Sequence, residues 1–222
     1  MTTVGFIGSG RIGSTVARLA IAAGYDVVLS NSRGPQALRN VVENLGPQAR
    51  AATSEEAAML AGLVVVAVPV KAYPVLPAAA LADRPVLDAG NYYPPRDGQV
   101  PELDDKSLTS SAYLGRLAPG AQVVKVFNNI FFKHLENLAR PAGAADRSAL
   151  PIAADGADAK IIVTQFLDAI GYEAVDAGPL AGSWRQQPGT PVYGTPYGSF
   201  DNEKGTPADA DVIRAALAAA TR

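Results

Sequence analysis

The chain has 222 residues, of which 48% are hydrophobic and 18% charged, with a formal charge of −2 and no cysteine. That composition suits one α/β domain, with or without a small appendage, and argues against a disordered chain. It also excludes a disulfide framework, a thiol nucleophile and a thiolate metal site, and it offers no basic surface for nucleic acid or an anionic membrane.

The first predicted element is a short buried strand from Val4 to Ile7. Gly8-Ser9-Gly10-Arg11-Ile12-Gly13 follows as G-x-G-x-x-G, and Ile12, Val16, Leu19, Ala20 and Ala23 then repeat at helical spacing. In a dinucleotide-binding turn Gly8 permits the sharp exit from the strand and Gly10 lets the backbone approach a pyrophosphate. Gly13 lets the helix pack closely on the sheet. Free N–H groups at the start of that helix complete an anion site. A glycine-rich turn without a ligand accounts poorly for three glycines in register between a strand and a helix.

Gly24 ends the first helix, and Tyr25 to Ser30 is the second strand. A dinucleotide fold usually places Asp or Glu near the end of this strand to hold the ribose hydroxyls. Here Asn31, Ser32 and Arg33 stand instead. A carboxylate would repel a 2′-phosphate, whereas neutral donors and a fixed cation accept one, so the spacing favours NADP over NAD. The competing reading makes Arg33 a solvated loop residue.

Pro35 to Leu45 reads as the second helix, closed by Gly46, and Ala49 to Ala52 as the third strand. Thr53 and Glu56 form a capping box that opens a helix to Ala61. Leu63 to Val68 is the continuous apolar run of a central parallel strand. Val68 and Pro69 at its end are expected against the cofactor, because ligands bind at the carboxyl edge of such sheets. A helix over 72–81 leads to the fifth strand, Pro85 to Gly90, whose exit is the polar and aromatic loop from Asn91 to Gly98. A helix over 107–117 leads to the sixth strand, Ala121 to Phe127, running into Asn128 and Asn129.

Six strands alternating with helices predict a doubly wound parallel sheet, the NAD(P)-binding Rossmann fold. Ala149 to Ala154 and Tyr172 to Asp176 are candidate further strands, flanking a helix over 157–170. Residues 1–180 are expected to form the nucleotide domain. Residues 181–222, a Gly-, Pro- and Tyr-rich loop and a final helix, are expected to pack on it rather than form a separate helical domain. The aromatic segment suits either a pocket lid or a homodimer contact. The longest apolar run, Leu60 to Val70, is too short to span a bilayer. No charged leader precedes Val4, so a cytoplasmic protein is expected.

The side chains that would serve as an acid or base are few. None of the eight tyrosines has a lysine four positions on. His134, the single histidine, reads as a packing or surface residue rather than a base, and makes a His-based metal site unexpected. Lys133 and Asn137 have a Lys-x-x-x-Asn spacing, but no glycine-rich segment precedes them. Asp97, Glu102, Asp104 and Asp105 read as a solvated loop. Hydride transfer between two stacked rings needs alignment more than a side-chain base. Pro69, Asn91, Tyr92, Asn128 and Ile130 supply suitable neutral walls. A binding module that senses NADP(H) without turnover is the alternative.

Gly5-Phe6-Ile7-Gly8-Ser9-Gly10-x-x-Gly13, Ser30-Asn31-Ser32-Arg33, Val66-Ala67-Val68-Pro69, Lys125-Val126-Phe127-Asn128-Asn129 and Asp176-Ala177-Gly178-Pro179-Leu180 occur in that order. In these segments the chain resembles the NADP oxidoreductase, coenzyme F-420-dependent family over nearly its whole length. The resemblance implies hydride exchange between NADP(H) and a deazaflavin, coenzyme F-420 or another flavin-type or small-molecule acceptor, stacked over the nicotinamide. It implies Ser9, Arg11 and Ile12 at the pyrophosphate, Ser32 and Arg33 at the 2′-phosphate, and Pro69 and Asn91 beside the nicotinamide ribose. Asn128 and Ile130 would border the ring pair, with no acid or base assigned. Archaeal reductases of the family carry histidine where Asn128 stands, and lack the segment headed by Trp184 and Arg185.

Overall fold

A computed structural model describes residues 2–222. Strand β1 (Thr3–Ile7) is followed by helix α1 (Arg11–Ala22), then by β2 (Asp26–Ser30). A 3-10 turn (Pro35–Leu38) leads into α2 (Arg39–Leu45), β3 (Ala49–Ala51), α3 (Ser54–Met59) and β4 (Leu63–Val66). The capping box of α3 forms: the Glu56 N–H donates to Thr53 Oγ1 at 3.2 Å, and the Thr53 N–H donates to the Glu56 carboxylate at 2.9 Å.

The helix expected over 72–81 does not form as one piece. A 3-10 turn (Val70–Val75) and the short α4 (Ala78–Leu81) share that stretch. Pro74 and Pro77 remove two backbone donors there, and the residue before each proline is pushed away from the helical region. After β5 (Pro85–Asp88) come α5 (Pro94–Asp97), α6 (Pro101–Asp104) and α7 (Ser110–Leu117), the last starting later than expected because Thr109 caps it by accepting from the Ala112 N–H. Strand β6 (Gln122–Lys125) leads to α8 (Phe132–Asn137). Then follow β7 (Ala149–Ile152), α9 (Ala157–Ala169), β8 (Glu173–Asp176), 3-10 turns at Leu180–Gln186 and Thr195–Tyr197, and α10 (Ala210–Ala218).

The six first strands form one parallel sheet in the order β3-β2-β1-β4-β5-β6. This is the doubly wound Rossmann arrangement, and the strand order reverses between β1 and β4, where a ligand crevice opens. Alternation along each strand feeds two cores. Val4, Phe6, Val65 and Val124 face α1 and α9, whereas Ile7, Val64, Val66 and Val86 face α4 and α7. All four residues of β4 are buried, as a strand covered on both faces requires. Strands β7 and β8 do not extend the parallel ladder. Among the described residues they pair with each other alone, and one antiparallel bridge between Lys125 and Ala153 ties the ribbon to β6. No helix among the described residues is long and apolar enough to cross a membrane.

Candidate functional site

The turn after β1 is built by backbone proximity. Gly8 has φ +107°, and a Cβ there would lie 2.4 Å from the Ala67 carbonyl oxygen. A Cβ on Gly13 would lie 2.1 Å from the Gly8 carbonyl oxygen, so only glycine lets α1 start this close to β1. At Gly10 the situation is reversed: a Cβ would meet nothing within 4 Å. Gly10 therefore opens onto space that a ligand backbone can approach. No side chain caps the first turn of α1, and no acidic residue lies in it. The N–H groups of Arg11, Ile12 and Gly13 stand at the positive end of a 12-residue helix. Ser9 is half-buried, its carbonyl accepting from Ser14 Oγ at 3.0 Å. The Arg11 guanidinium lies 5.2 Å from the Phe132 ring centroid.

At the end of β2, Asn31 Oδ1 accepts from the Arg33 N–H at 2.9 Å. This bond shapes the turn and leaves Asn31 Nδ2 buried without a partner among the described residues. Ser32 and Arg33 are exposed, and among the described residues Arg33 has no ion-pair partner. An unused amide donor and an unused guanidinium side by side fit a ribose carrying a phosphate. Val68 and Pro69 follow β4 as half-buried residues over the same edge.

The exits of β5 and β6 are locked to one another. Asn91 Nδ2 donates to the Asn128 carbonyl at 2.8 Å, and Asn128 Nδ2 donates to Asn91 Oδ1 at 3.0 Å. Asn128 Nδ2 also donates to the Gln186 carbonyl at 2.6 Å, and its Oδ1 is buried and unpartnered among the described residues. The neighbouring Asn129 bonds the carbonyl of Val192 and accepts from the Gly194 N–H. Phe127 turns the chain here with φ +66°, a left-handed conformation costly for an aromatic residue. Both asparagines thus hold the 186–194 segment across the sheet edge. Ile130, expected beside the ring pair, is a core side chain with 5% exposure, and Asn128 is 4% exposed. The structure brings Asn91 and Asn128 together as a buttress under the C-terminal segment. It does not present Ile130 on an open wall.

Below this edge lies a polar cluster that sequence reasoning missed. Asp88 and Lys125 are fully buried, are partners in the β5–β6 register, and pair at 3.2 Å. Asp88 also accepts from Tyr73 Oη at 2.5 Å, from Ser111 Oγ at 2.5 Å and from the Gly90 N–H at 2.8 Å. Lys125 Nζ donates to the Gly90 carbonyl and, at 3.3 Å, to Ser110 Oγ. Burial pushes the Lys125 ammonium down in pKa, against the attraction of the Asp88 carboxylate. Burial, and then the adjacent Asp88 charge, raise the Tyr73 hydroxyl well above the usual tyrosine value. The cluster fixes Gly90, and through it the start of the Asn91 loop.

One further expectation is corrected, that for Asp97, and the packing role expected of His134 is met. Asp97 is not solvated: its side chain has no accessible surface and accepts two bonds from Arg96 and one each from the Tyr93 and Lys71 N–H groups. His134 is fully buried and packs against Phe131, with Nε2 2.7 Å from the Asn202 carbonyl. Tyr93 and Tyr193, a hundred residues apart, place their hydroxyl oxygens 2.6 Å from each other.

A parallel sheet in this order, an open glycine turn at a helix start and an unpartnered amide beside a guanidinium define a Rossmann fold of the NAD(P)-binding kind. Residues 3–92 match the family described as NADP oxidoreductase coenzyme F420-dependent. The chain belongs to that family and is an NADP oxidoreductase. It is similar to a hypothetical protein from Sinorhizobium meliloti, with 31% identity over 86% of this chain and 93% of that one, at a TM-score of 0.75. A protein from Arthrobacter sp. FB24, provisionally described as an F420-dependent NADP reductase, is 24% identical over 83% of this chain and 87% of its own, at 0.69. The 3-hydroxyisobutyrate dehydrogenase of Mycobacterium tuberculosis shares the fold at 17% identity and a TM-score of 0.57, covering 82% of this chain and 56% of its own. No curated protein matches the chain. The matching family is one of oxidoreductases, which does not favour a module that only binds nucleotide.

Proposed function

We propose that this protein transfers hydride from NADPH to a planar acceptor of the deazaflavin type, held at the carboxyl edge of the sheet. The observation that carries the cofactor half is the open face of Gly10 at the uncapped start of α1, together with the unpartnered Asn31 amide next to Arg33. In this reading the N–H groups of Arg11, Ile12 and Gly13, with Ser9, hold the pyrophosphate. Asn31 Nδ2 donates to the ribose, and Ser32 and Arg33 hold the 2′-phosphate by charge-assisted bonds. Val68 and Pro69 line the nicotinamide side. Asn91 and Asn128 act through the backbone they fix: they keep the β5 and β6 exits and the 186–194 segment at a set spacing, so that two rings stack in register. NADPH supplies the hydride. The family to which the chain belongs supports F-420 as the acceptor.

The test is NADPH oxidation, followed by NADPH absorbance, with F-420, FMN, FAD and a quinone offered separately. Turnover with F-420 and little with the others is expected. Tight NADPH binding with no turnover on any acceptor overturns the proposal.

A further inference from the structure

The sequence offers no acid or base for the proposed transfer, yet the structure assembles a protic pair at the β5–β6 exits. Tyr93 belongs to the loop that leaves β5, two residues after Asn91. Tyr193 belongs to the segment that Asn129 holds over the end of β6: the Val192 carbonyl accepts from Asn129 Nδ2 at 3.1 Å, and the Gly194 N–H donates to the Asn129 carbonyl at 2.8 Å. The two hydroxyls meet at 2.6 Å across the β5–β6 edge. Both residues are half-buried rather than sealed in the core. Arg96 ties the pair to the Asn91 loop, donating to the Asn91 carbonyl at 2.5 Å with its guanidinium 5.0 Å from the Tyr93 ring centroid. Asp97 is the other charged group at the pair, and its oxygens are occupied by Arg96 and by the Tyr93 and Lys71 N–H groups.

We infer that the Tyr93–Tyr193 hydroxyl pair is the proton relay for hydride transfer, and that the acceptor is a conjugated C=N or C=O compound which takes a proton on nitrogen or oxygen when reduced. This inference rests on the proposed reductase reading and deepens it. The balance is simple. The C4–H bond of NADPH breaks and its electron pair goes with the hydride to the acceptor carbon. The tyrosine O–H bond facing the acceptor breaks and its proton goes to the acceptor heteroatom, which carries the displaced electron pair. The second hydroxyl hands its proton to the first and takes one from water. NADPH becomes NADP+, and the acceptor gains one hydride and one proton. Burial, and then the hydrogen bond shared with Tyr93, raise the pKa of Tyr193, so it stands protonated at neutral pH as a donor must. Arg96 lies where it stabilises the transient tyrosinate.

Each hydroxyl is removed separately, as Tyr93→Phe and Tyr193→Phe, in the full chain. Either change is expected to lower kcat with the acceptor that the unaltered protein uses by about 100-fold, the usual size of a general-acid contribution. NADPH affinity, read by the fluorescence of the bound nucleotide, and the melting temperature should change little. Tyrosinate absorbance at high pH reads the pair without turnover. NADP+, whose ring is cationic, should lower the pH of one tyrosinate transition, NADPH should not, and both Phe variants should lose that shift. Variants with kcat within about twofold of the parent overturn the relay alone, as does an alkaline titration that NADP+ leaves unmoved. An unaltered chain that binds NADPH but reduces no acceptor overturns the reductase reading, and the relay with it.

Discussion

The turn after β1 and the segment over the β6 exit sit at the same sheet edge but are made in opposite ways. The turn is local. Gly8, Gly10 and Gly13 lie within six residues; the constraint on Gly8 comes from Ala67 and Val68 just after β4, that on Gly13 from Gly8 and Ala67, and Gly10 faces open space. The 186–194 segment is assembled at long range. Its carbonyls and N–H groups reach Asn128 and Asn129, 58 to 65 residues earlier, and Tyr193 reaches Tyr93 a hundred residues earlier. The nucleotide half can therefore be altered position by position with separable results. The acceptor half responds as a network, in which one lost partner leaves others buried and unsatisfied.

The sharpest separation is within the turn itself. Gly13→Ala places a methyl 2.1 Å from a backbone oxygen that cannot move aside, and should cost about 3 kcal/mol or more and abolish NADPH binding. Gly10→Ala meets no protein atom and should leave the urea midpoint nearly unchanged, within about 0.5 kcal/mol. It should still weaken NADPH at least about tenfold, because the methyl fills the space that the pyrophosphate needs. Equal stability losses in the two variants would remove the distinction between a packing glycine and a binding glycine.

The network half gives the next largest effect. Asp88→Ala leaves the Lys125 ammonium buried without its carboxylate and should cost about 3–5 kcal/mol. Lys125→Met leaves Asp88 with bonds from Tyr73, Ser111 and Gly90, and should cost less, about 1–3 kcal/mol. Urea denaturation of both variants orders them. The reverse order would mean that Asp88 depends on the ammonium more than on its three other donors.

At the far end of the nucleotide groove, Arg33→Ala should weaken NADPH by about 10- to 100-fold, the worth of one or two charge-assisted bonds. NADH affinity should move little, since the exposed guanidinium has no structural bond to lose. Parallel losses for both nucleotides would place Arg33 outside the 2′-phosphate site.

How far the sequence was legible follows the same division. The β1 turn, the capping box of α3 and the buried run of β4 announce themselves within a few residues, because their determinants are sequence neighbours. The stretch over 72–81 misleads, since its alanines promote helix while Pro74 and Pro77 break it. Asp88 and Lys125 carried a usable signal: each is the one charged residue of its strand, and the strand order makes them register partners. The Tyr93–Tyr193 pair carried none, because nothing in either local segment says that the other will fold over it.

Asp97 gives the smallest effect. Burial by itself would raise its pKa, but the bonds from Arg96 and from the Tyr93 and Lys71 N–H groups outweigh this and hold it below the usual aspartate value. A carboxyl with a depressed folded-state pKa contributes stability that is fully present above its unfolded value of about 3.9 and is lost as pH falls through the folded one. The urea midpoint should therefore decline as pH drops below about 4, partly on account of Asp97. Asp97→Asn keeps the shape but loses the charge, so it should be less stable at neutral pH and show a shallower acid decline. Because this carboxylate also anchors the N–H of Tyr93, the same variant loosens the loop that carries the relay, and kcat should fall modestly with NADPH affinity unchanged. An acid limb identical to that of the parent would mean that the bonds to Asp97 add nothing to stability beyond what a neutral amide supplies.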